Sequence, residues 1–399
     1  MGQREVNEIS NQDRRRSRTP LSRGKRIVFT SVLVLGGLGF VEALSSVYYF
    51  VHHPREFRAG LEMALGIRHT AENLVLKYRP HPYFNHVCNP GYRYPDGYRP
   101  HNSRGFRGPE WPSGKSPGTV RIVALGGSTT YGIFSKTGED TWPALLRERL
   151  GQRVAVPVEV INLGVAAYTT HEILGVMSMV VPDLQPDIVL IHVGANEAFA
   201  VGYPEEGGND NTRFRHAWNY RPIPGIWRFL MRHTYFFRVF GLTLGIHSGR
   251  LPGDLIPVIQ YARPDAKSAR NCAGTATGRY FRRNVNTLIT LTRHIGARPV
   301  LITHPLNPDW QTKDGSYHAL VADAHRRNNR ILMDLAREEG VTCIAMHRRL
   351  QSTGFFMDAI HMNRAGMVQK ARLLAEDLAP LVASPKRADP RAIEPSAIR

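Results

Sequence analysis

The feature that most constrains the fold is a regular alternation, from residue 119 onwards, between short apolar segments and segments with helical periodicity. The strand candidates are Thr119 to Leu125, Val158 to Leu163, Asp187 to Val193, Arg298 to Thr303 and Val341 to Met346. The helix candidates are Thr141 to Leu150, His171 to Val181, Tyr280 to Ile295, Tyr317 to Glu339 and Asn363 to Val382. Apolar strands separated by such helices are typical of βαβ units, which build a parallel sheet with helices on both faces. The alternation therefore predicts an α/β fold, organised as a three-layer α/β/α sandwich.

The first strand candidate ends in a glycine pair followed by a serine, Gly126-Gly127-Ser128. Glycines permit a sharp turn, and the carboxyl end of a strand is where α/β sheets build their sites. A serine held there can expose its hydroxyl as a nucleophile and offer its amide to an anion. The same residues also suit a phosphate-cradling turn or a plain tight loop, and this motif alone does not decide between these interpretations.

The next two strand candidates end in Asn162-Leu163-Gly164 and in Gly194-Ala195-Asn196-Glu197. The carboxyl ends of parallel strands open on the same side, so we expect Ser128, Gly164 and Asn196 to converge. Acyl transfer needs hydrogen-bond donors aimed at the oxygen that becomes negative in the tetrahedral intermediate. The backbone N–H groups of Ser128 and Gly164 and the side-chain amide of Asn196 are the candidate donors. Taken singly, a glycine in a turn and an asparagine capping a loop are both commonplace.

The last strand candidate is followed by Asp358-Ala359-Ile360-His361. A serine is a weak nucleophile until a base accepts its proton, and a histidine can do so when a carboxylate fixes its tautomer. Asp358 stands three residues before His361, close enough to reach the second nitrogen of the imidazole. The alternative for this stretch alone is an Asp/His turn with Asn363 capping the final helix.

Taken together, these motifs resemble those of the SGNH, or GDSL, hydrolase family, whose name lists the four residue types. They are, in order, Gly127-Ser128, Asn162-x-Gly164, Gly194-x-Asn196 and Asp358-x-x-His361. The resemblance covers about residues 121 to 382, apart from an insertion. It implies a flavodoxin-like sandwich in which Ser128 is the nucleophile, His361 the general base and Asp358 its orienting carboxylate. It also implies an oxyanion hole that includes Gly164 and Asn196, with no metal and no organic cofactor.

The chain departs from the family pattern at two positions. The acid that precedes the nucleophile in the family is replaced by Gly127, and the acid after the asparagine is Glu197 in place of aspartate. Neither position belongs to the triad in the family pattern, so we expect activity to survive both changes. Members of the family cleave lipid esters, thioesters and acetyl groups on polysaccharides, so the resemblance does not identify the substrate.

The N-terminal region predicts a membrane anchor. Residues 1–26 hold eight Lys and Arg against three Asp and Glu, and residues 27–51 are apolar with one internal acid, Glu42. Twenty-five residues are long enough to cross a bilayer as a helix, and the preceding charges predict a cytoplasmic N-terminus with the rest of the chain exported. Tyr48 and Tyr49 suit the far interface. A cleaved signal peptide is the alternative, and the apolar continuation to Val51 favours an uncleaved anchor.

The remaining segments are predicted from composition. Residues 52–117 indicate a membrane-proximal linker, residues 118–383 the hydrolase domain and residues 384–399 a C-terminal tail. Residues 198–279 interrupt the alternation as an insertion that contains an apolar, basic helix from Ile226 to Leu242. Such a helix suits a lid over an acyl site or a position on the membrane surface, but packing onto the domain is the expected role.

The net charge of +19 is spread through the body of the chain, since residues 1–26 and 385–399 supply only +5 and +2 of it. A basic surface attracts nucleic acid, anionic lipid or acidic polysaccharide. The chain shows no nucleic-acid module and no basic stripe interleaved with aromatic residues, so nucleic acid is not an expected partner. The oligomeric state is left open.

Three cysteines are too few for a disulfide scaffold. Cys88 and Cys272 lie in loop-like sequence and can pair in an oxidising compartment, whereas Cys343 is predicted to be a buried thiol inside a strand. His81, His86 and Cys88 lie close in sequence, but their spacing matches no strong zinc pattern, and a proline-rich linker that contains histidines is the favoured interpretation.

These observations predict a membrane-anchored, extracytoplasmic serine esterase that hydrolyses an acyl ester of a lipid or of an O-acylated carbohydrate. The first alternative is an O-acyltransferase that modifies an exported polysaccharide, because it differs only in its acceptor. The second is a non-catalytic binding domain on the same fold. A nucleotide-binding protein is disfavoured because the glycine pair is accompanied by neither a Walker lysine nor a Gly-x-Gly-x-x-Gly pattern.

Overall fold

A five-stranded parallel sheet organises the chain. The structure is a computed structural model that describes residues 22–52, 54, 57, 77–81, 83–94, 96–112, 114–200, 226, 229–230, 233–243, 278–311 and 316–384. The sheet has the strand order β4-β3-β5-β6-β7. Its strands are β3 (Val120–Gly126), β4 (Val158–Gly164), β5 (Ile188–His192), β6 (Arg298–Ile302) and β7 (Thr342–Ile344). An antiparallel hairpin, β1 (Tyr78–His81) and β2 (Asn85–Cys88), precedes it.

The helices alternate with the strands of the sheet as predicted. After the N-terminal helix α1 (Arg23–His52) come α2 (Ser128–Tyr131), α3 (Trp142–Gly151), α4 (Thr170–Met179), α5 (Ala195–Phe199) and α6 (Tyr235–Thr243). They are followed by α7 (Arg279–His294), α8 (Pro308–Gln311), α9 (Ser316–Glu338), α10 (Met346–Arg349) and α11 (Arg364–Ala383). The five predicted strands and five predicted helices of the sandwich are each present, with ends that differ by at most two residues.

The two faces of the sheet bury different side chains of the same strands. Along β3, Val123 and Leu125 pack on one face with residues of α4, α7 and α9. Ile122 and Ala124 pack on the other face with residues of α3 and α11. Because successive side chains of a strand point to opposite faces, a strand covered on both sides is apolar throughout. This arrangement is the predicted three-layer α/β/α sandwich.

The strand order places the functional candidates at one crevice. Counted within this sheet, the order is 2-1-3-4-5, the flavodoxin-like arrangement. From the first strand the second lies on one side and the third on the other, so the strand order switches between the first and third strands. Ser128 follows the first of these strands, β3, and Asn196 follows the third, β5. Ligands bind at this switch point in open α/β sheets, beyond the carboxyl ends of the strands.

The hairpin of the predicted linker packs against the sandwich. Phe84 and Cys88 are buried in the same cluster as Val123 and Leu125. The His86 imidazole contacts the Ala166 carbonyl through Nε2 at 2.9 Å. The hairpin is therefore part of the folded domain, buried against one face of the sheet.

Helix α1 extends over the predicted apolar segment and presents that segment to solvent, with Leu35 67% exposed. By length and composition it is a candidate membrane span, and a signal sequence passes the same criteria. The basic tail at residues 1–21 and the C-terminal tail at 385–399 lie outside the described residues.

Two predicted features differ from the structure, and a third lies outside the residues that it describes. β7 ends at Ile344 because Met346 begins a short helix, and Cys343, predicted to be buried, is partly exposed in this brief edge strand. The insertion helix, predicted to pack onto the domain, packs against α1 where the structure describes it as α6. Cys272, the proposed partner of Cys88, lies outside the described residues.

Candidate active site

The Ser128 turn is built by two glycines that have no room for a side chain. A Cβ on Gly126 would lie 2.7 Å from the His192 carbonyl oxygen, and one on Gly127 would lie 2.7 Å from the Asn196 amide nitrogen. Helix α2 begins at Ser128, so the Ser128 N–H belongs to the first helical turn, which has no earlier carbonyl in the helix to bind. The turn thus presents a serine hydroxyl and an N–H donor at the same edge of the sheet.

The structure brings Ser128, His361 and Asp358 into one hydrogen-bonded chain. Ser128 Oγ lies 2.7 Å from His361 Nε2, and His361 Nδ1 lies 2.7 Å from Asp358 Oδ2. With the imidazole proton on Nδ1, that nitrogen donates to the carboxylate and Nε2 accepts from the serine hydroxyl. The two residues predicted from opposite ends of the domain therefore meet with the geometry needed for proton transfer.

The Asp358 carboxylate is held by the backbone as well as by the imidazole. Its Oδ1 accepts from the N–H groups of Ile360 and His361, at 2.9 and 2.8 Å. Partial burial by itself would raise the pKa of Asp358, but the hydrogen bonds from the side chain and backbone of His361 and from the Ile360 N–H outweigh it, and the pKa is lowered. The carboxylate is consequently ionised at neutral pH. The alternative proposed for this stretch also holds, because Asn363 Oδ1 caps α11 by accepting from Gly366 N at 3.0 Å.

Asn196 reaches the site, and its orientation is fixed. Its side-chain nitrogen donates one hydrogen to the Tyr168 carbonyl at 2.7 Å, and an amide group carries two hydrogens. The carbonyl that it binds follows Ala167, whose φ of 64° is in the left-handed region that favours glycine. The bend at Ala167 was not apparent from the sequence, because alanine carries no signal for it.

The Gly164 N–H, a predicted donor of the oxyanion hole, has a side-chain partner in the structure. Its N–H donates to Asn162 Oδ1 at 2.9 Å, and a Cβ at this position would lie 2.2 Å from Tyr131 N. The Asn162 side chain also donates to the Thr130 carbonyl at 2.9 Å. Gly164 is therefore a place where strand β4 and helix α2 approach closely, and Asn162 ties the two together.

A buried polar network that was not predicted from the sequence contacts the two residues that follow Ser128. Thr130 Oγ1 contacts His192 Nδ1 at 3.0 Å, and Lys370 Nζ contacts His192 Nε2 at 2.9 Å. Thr129 Oγ1 contacts His304 Nε2 at 3.1 Å, and the rings of His192 and His304 stack with centroids 3.8 Å apart. The two residues that follow Ser128 are thus each held by a histidine.

Burial sets the protonation of this network. Desolvation lowers the pKa of His192, His304 and Lys370 well below their ordinary values, and neighbouring imidazoles and the lysine lower those of the histidines further. His325, edge-on to His304 with ring centroids 5.9 Å apart, has its pKa lowered to about 3 by burial. The histidines are therefore neutral at pH 7. The available sequence signal was a histidine at the end of an otherwise apolar strand, His192.

The two departures from the family pattern have structural explanations. Glu197 accepts from Thr170 N at 2.5 Å and from Gly194 N at 3.1 Å, so its carboxylate joins the starts of α4 and α5. Burial raises the pKa of Glu197, although these hydrogen bonds act against the rise. At Gly127, the Asn196 amide occupies the space that a side chain would need.

One exposed apolar side chain contacts the imidazole, and a second belongs to a residue that is bonded to the His361 backbone. The Phe134 ring lies edge-on to His361 with centroids 5.5 Å apart and is 51% exposed. Met357 donates its N–H to the His361 carbonyl at 2.8 Å and is 59% exposed. Among the described residues, no group of three His, Cys, Asp or Glu side chains is placed to hold a metal ion.

A family model covers the part of the chain that contains this site. The model of the GDSL-like lipase/acylhydrolase family matches residues 124–368, a range that includes Ser128, Asn196, Asp358 and His361. A comparison with curated proteins finds no match.

Several solved structures are similar at low identity. The lipase/acylhydrolase from Enterococcus faecalis is 17% identical with a TM-score of 0.40, over 67% of this chain and 100% of that one. Axe2, an acetylxylan esterase from Geobacillus stearothermophilus, is 14% identical with a TM-score of 0.40, over 65% and 94%. Est24, a carbohydrate acetylesterase from Sinorhizobium meliloti, is 14% identical with a TM-score of 0.38, over 66% and 99%. Likenesses this distant carry no argument about substrate.

Proposed function

Because the chain belongs to the GDSL-like lipase/acylhydrolase family and is an ester-hydrolysing enzyme, we propose that it is a membrane-anchored, extracytoplasmic serine esterase. Its substrate is an acyl ester of a lipid or of an O-acylated carbohydrate. Ser128 is the nucleophile, His361 the general base and Asp358 the carboxylate that orients it. The observation that carries the proposal is the continuous chain of two 2.7 Å contacts from the serine hydroxyl through the imidazole to the carboxylate.

The first half of the reaction transfers the acyl group to Ser128. As Oγ bonds to the carbonyl carbon, His361 Nε2 takes the hydroxyl proton, and the electron pair of the C=O bond moves to its oxygen. The Ser128 N–H and the second amide hydrogen of Asn196 are the donors for that oxyanion. Collapse of the intermediate breaks the ester C–O bond, and His361 returns its proton to the departing alcohol.

The second half releases the acid. Water takes the place of the alcohol, gives a proton to His361 Nε2 and attacks the acyl carbon, and the Ser128 oxygen then departs and recovers that proton. Asp358 stays ionised throughout and stabilises the imidazolium that forms in each half. An acceptor hydroxyl in place of water would make the same site an O-acyltransferase.

Helix α1 is proposed to anchor the enzyme. Its apolar face is exposed along its length, and Arg23, Lys25 and Arg26 stand at its N-terminal end. Positive charge on that side keeps it in the cytoplasm and directs the hydrolase domain to the opposite side of the membrane.

The test is hydrolysis of a short-chain nitrophenyl ester by the full chain in detergent. Ser128→Ala is expected to lower kcat by about a thousandfold or more, since the hydroxyl is the attacking group. Ser178→Ala is the matched control, because Ser178 lies on α4 and its hydroxyl donates only to the Leu174 carbonyl, at 2.9 Å. Full activity in Ser128→Ala would contradict the proposal. Adding an oligosaccharide and asking whether the acyl group appears on it or as free acid separates the transferase from the hydrolase.

A further inference from the structure

Helix α6 of the insertion packs against the proposed anchor, and an acidic residue of the anchor bonds to its N-terminal end. Glu42, the only acid in the apolar stretch of α1, accepts from the backbone N–H groups of Tyr235 and Phe236, the latter at 3.0 Å. These are the first two residues of α6, whose N–H groups have no partner within the helix. The carboxylate and the positive end of the helix dipole therefore stabilise one another.

Aromatic and cationic side chains extend this contact along α1. Tyr49, two turns beyond Glu42, is 2% exposed, and its ring centroid lies 5.6 Å from that of Tyr235. The Arg238 guanidinium lies 4.8 Å from the Tyr235 ring centroid and 6.0 Å from that of Tyr49. The pairing of α1 and α6 thus has a polar bond at one end and a packed ring cluster at the other.

The level of Glu42 on α1 fixes the depth of this contact in a bilayer. A hydrocarbon core needs about 20 helical residues, and 20 residues counted from Ile27 end at Ser46. At a rise of about 1.5 Å per residue, Glu42 lies only about 6 Å inside that outer boundary. A helix that lies in the membrane interface buries its apolar face to a similar depth, about 5–10 Å.

Exposed apolar side chains continue from α1 onto α6. Phe236 and Phe240, one turn apart with parallel rings, are each 39% exposed, and Ile226 and Phe229 just before them are 63% and 58% exposed. On α1, Leu44 is 55% exposed at the same level as Glu42. Exposed apolar side chains on α1 and α6, which pack together near the headgroup boundary, fit acyl chains.

From these observations we infer that α6 is a second membrane-contacting element, docked on α1 at Glu42 and lying in the outer interface of the bilayer. This inference rests on the proposed anchoring by α1. It places α6 against the lipid interface, whereas the sequence predicted that the insertion helix packs onto the surface of the domain. It also explains why a carboxylate is tolerated in the anchor, since two N–H donors compensate for its loss of hydration.

The test measures the depth of a fluorescent probe on α6 in the full chain. Phe240→Cys is combined with Cys272→Ser and labelled with an environment-sensitive dye. Cys88 is buried, and Cys343, which is partly exposed, is also replaced by serine, so that neither position competes for the dye. The labelled chain is reconstituted into phosphatidylcholine and phosphatidylglycerol vesicles whose acyl chains carry bromine near the glycerol end or near the methyl end.

Two further probes locate the reference depths. Leu38→Cys on α1 reports the hydrocarbon core, and Arg326→Cys, exposed on α9, reports the hydrolase domain. We expect shallow bromine to quench about half of the emission at position 240 and deep bromine to quench mainly position 38. Position 326 should be unaffected.

The outcomes separate the two proposals. Quenching at position 38 without quenching at position 240 overturns the inference and leaves the anchor intact. The exposed face of α6 would then serve as a lid or contact a second copy of the chain. Quenching at neither position removes the anchor and the inference together. Esterase activity of each labelled protein establishes that it is folded.

Glu42→Ala tests the docking contact itself. Loss of the acceptor should reduce the shallow quenching at position 240 by about half or more while leaving position 38 quenched. Ser46→Ala, one turn away on α1, is the matched control because its hydroxyl donates only to the Glu42 carbonyl, at 2.8 Å. Unchanged quenching in Glu42→Ala would overturn the assignment of Glu42 as the docking residue.

Discussion

In the proposed mechanism, the reactivity of Ser128 depends on which nitrogen of His361 carries the proton. Asp358 controls this through Oδ2, while its Oδ1 is engaged by two backbone N–H groups that shape the loop. The two oxygens of one carboxylate thus have separate tasks, one structural and one electrostatic. A substitution that keeps the backbone hydrogen bonds of Oδ1 but places a donor at Oδ2 isolates the role of Asp358 in catalysis.

Asp358→Asn is that substitution. The amide oxygen still accepts from Ile360 and His361, but its NH₂ group faces His361 Nδ1 and favours the tautomer that cannot accept the serine proton. We expect kcat to fall by about 10³- to 10⁴-fold with little change in melting temperature. Steady-state kinetics and thermal unfolding measure both, with Asp323→Asn on exposed α9 as the control. A loss below tenfold would argue against the orienting role.

The buried histidines are expected to lower the free energy of unfolding in acid. His325 has a pKa lowered to about 3, so the folded state binds fewer protons than the unfolded state as the pH falls below about 6.5. Stability is therefore lost as the pH drops through that window, by about 2 kcal/mol at pH 5 for this one residue. His86 and His101, whose pKa values burial lowers to about 4, add to the effect.

His325→Leu should lessen this acid sensitivity. Its Nε2 is buried with no hydrogen-bond partner in the part of the chain that the structure describes, so an apolar side chain of similar size removes a cost. The fall in melting temperature between pH 7 and pH 5 is expected to be smaller than in the wild type. His294→Leu, exposed at the end of α7, should leave the fall unchanged. An equal fall in His325→Leu and the wild type would show that His325 carries none of the effect.

The hydrogen-bonded chain of Ser128, His361 and Asp358 could be predicted from the sequence because each residue lies in a short motif that follows a predicted strand. The supporting network was not, because its members are contributed by distant elements and none carries a motif. Lys370, for example, occupies an ordinary position on α11 and is recognisable only once His192 is seen beside it.

At the scale of elements, the packing of α2 against β4 fixes the position of Ser128, the proposed nucleophile. Gly164 and Asn162 make that contact, the first by having no side chain and the second by bonding the Thr130 carbonyl. The Gly164→Ala methyl group would lie 2.2 Å from Tyr131 N and 2.7 Å from the Thr130 carbonyl carbon. Both are backbone atoms, so α2 itself must move.

We expect Gly164→Ala to destabilise the fold by about 3 kcal/mol and to lower activity through displacement of Ser128. Gly151→Ala is the control, since nothing lies within 4 Å of the Cβ that it would add at the end of α3. Chemical unfolding and ester hydrolysis check the two effects. Normal stability in Gly164→Ala would mean that β4 and α2 are less tightly apposed than the structure has them.

The strands and helices of the sandwich were predictable because apolar segments and helical periodicity alternate along the chain. Helix starts follow from local signals such as Pro143 in the first turn of α3 and the Asn363 cap of α11. The insertion helix was predictable as an apolar helix but not in its packing. Its contact with α1 joins residues nearly 200 positions apart, and a helix pattern alone carries no information about which surface it covers.

At the scale of the whole molecule, the proposed orientation in the membrane follows from the distribution of charge. Arg23, Lys25 and Arg26 stand at the N-terminal end of α1, and residues 1–26 carry an excess of five positive charges. In bacterial cells that express the full chain, protease added to spheroplasts should digest the hydrolase domain and spare the N-terminal tail.

Replacing these three residues by glutamine should leave part of the population in the reverse orientation, with its hydrolase domain protected. Arg326→Gln, Arg330→Gln and Arg337→Gln on α9 form a control with the same change in net charge. A hydrolase domain protected in the wild type would contradict the proposed topology.

The central claim is that the structure makes Ser128 an activated nucleophile, and covalent labelling with a fluorophosphonate tests it most directly. Intact-protein mass should increase by one phosphonyl group per chain, located by peptide mapping to Ser128, and the increase should be absent from Ser128→Ala and strongly slowed in His361→Ala. An unlabelled wild type, or a Ser128→Ala variant that labels as fast as the wild type, would contradict the account.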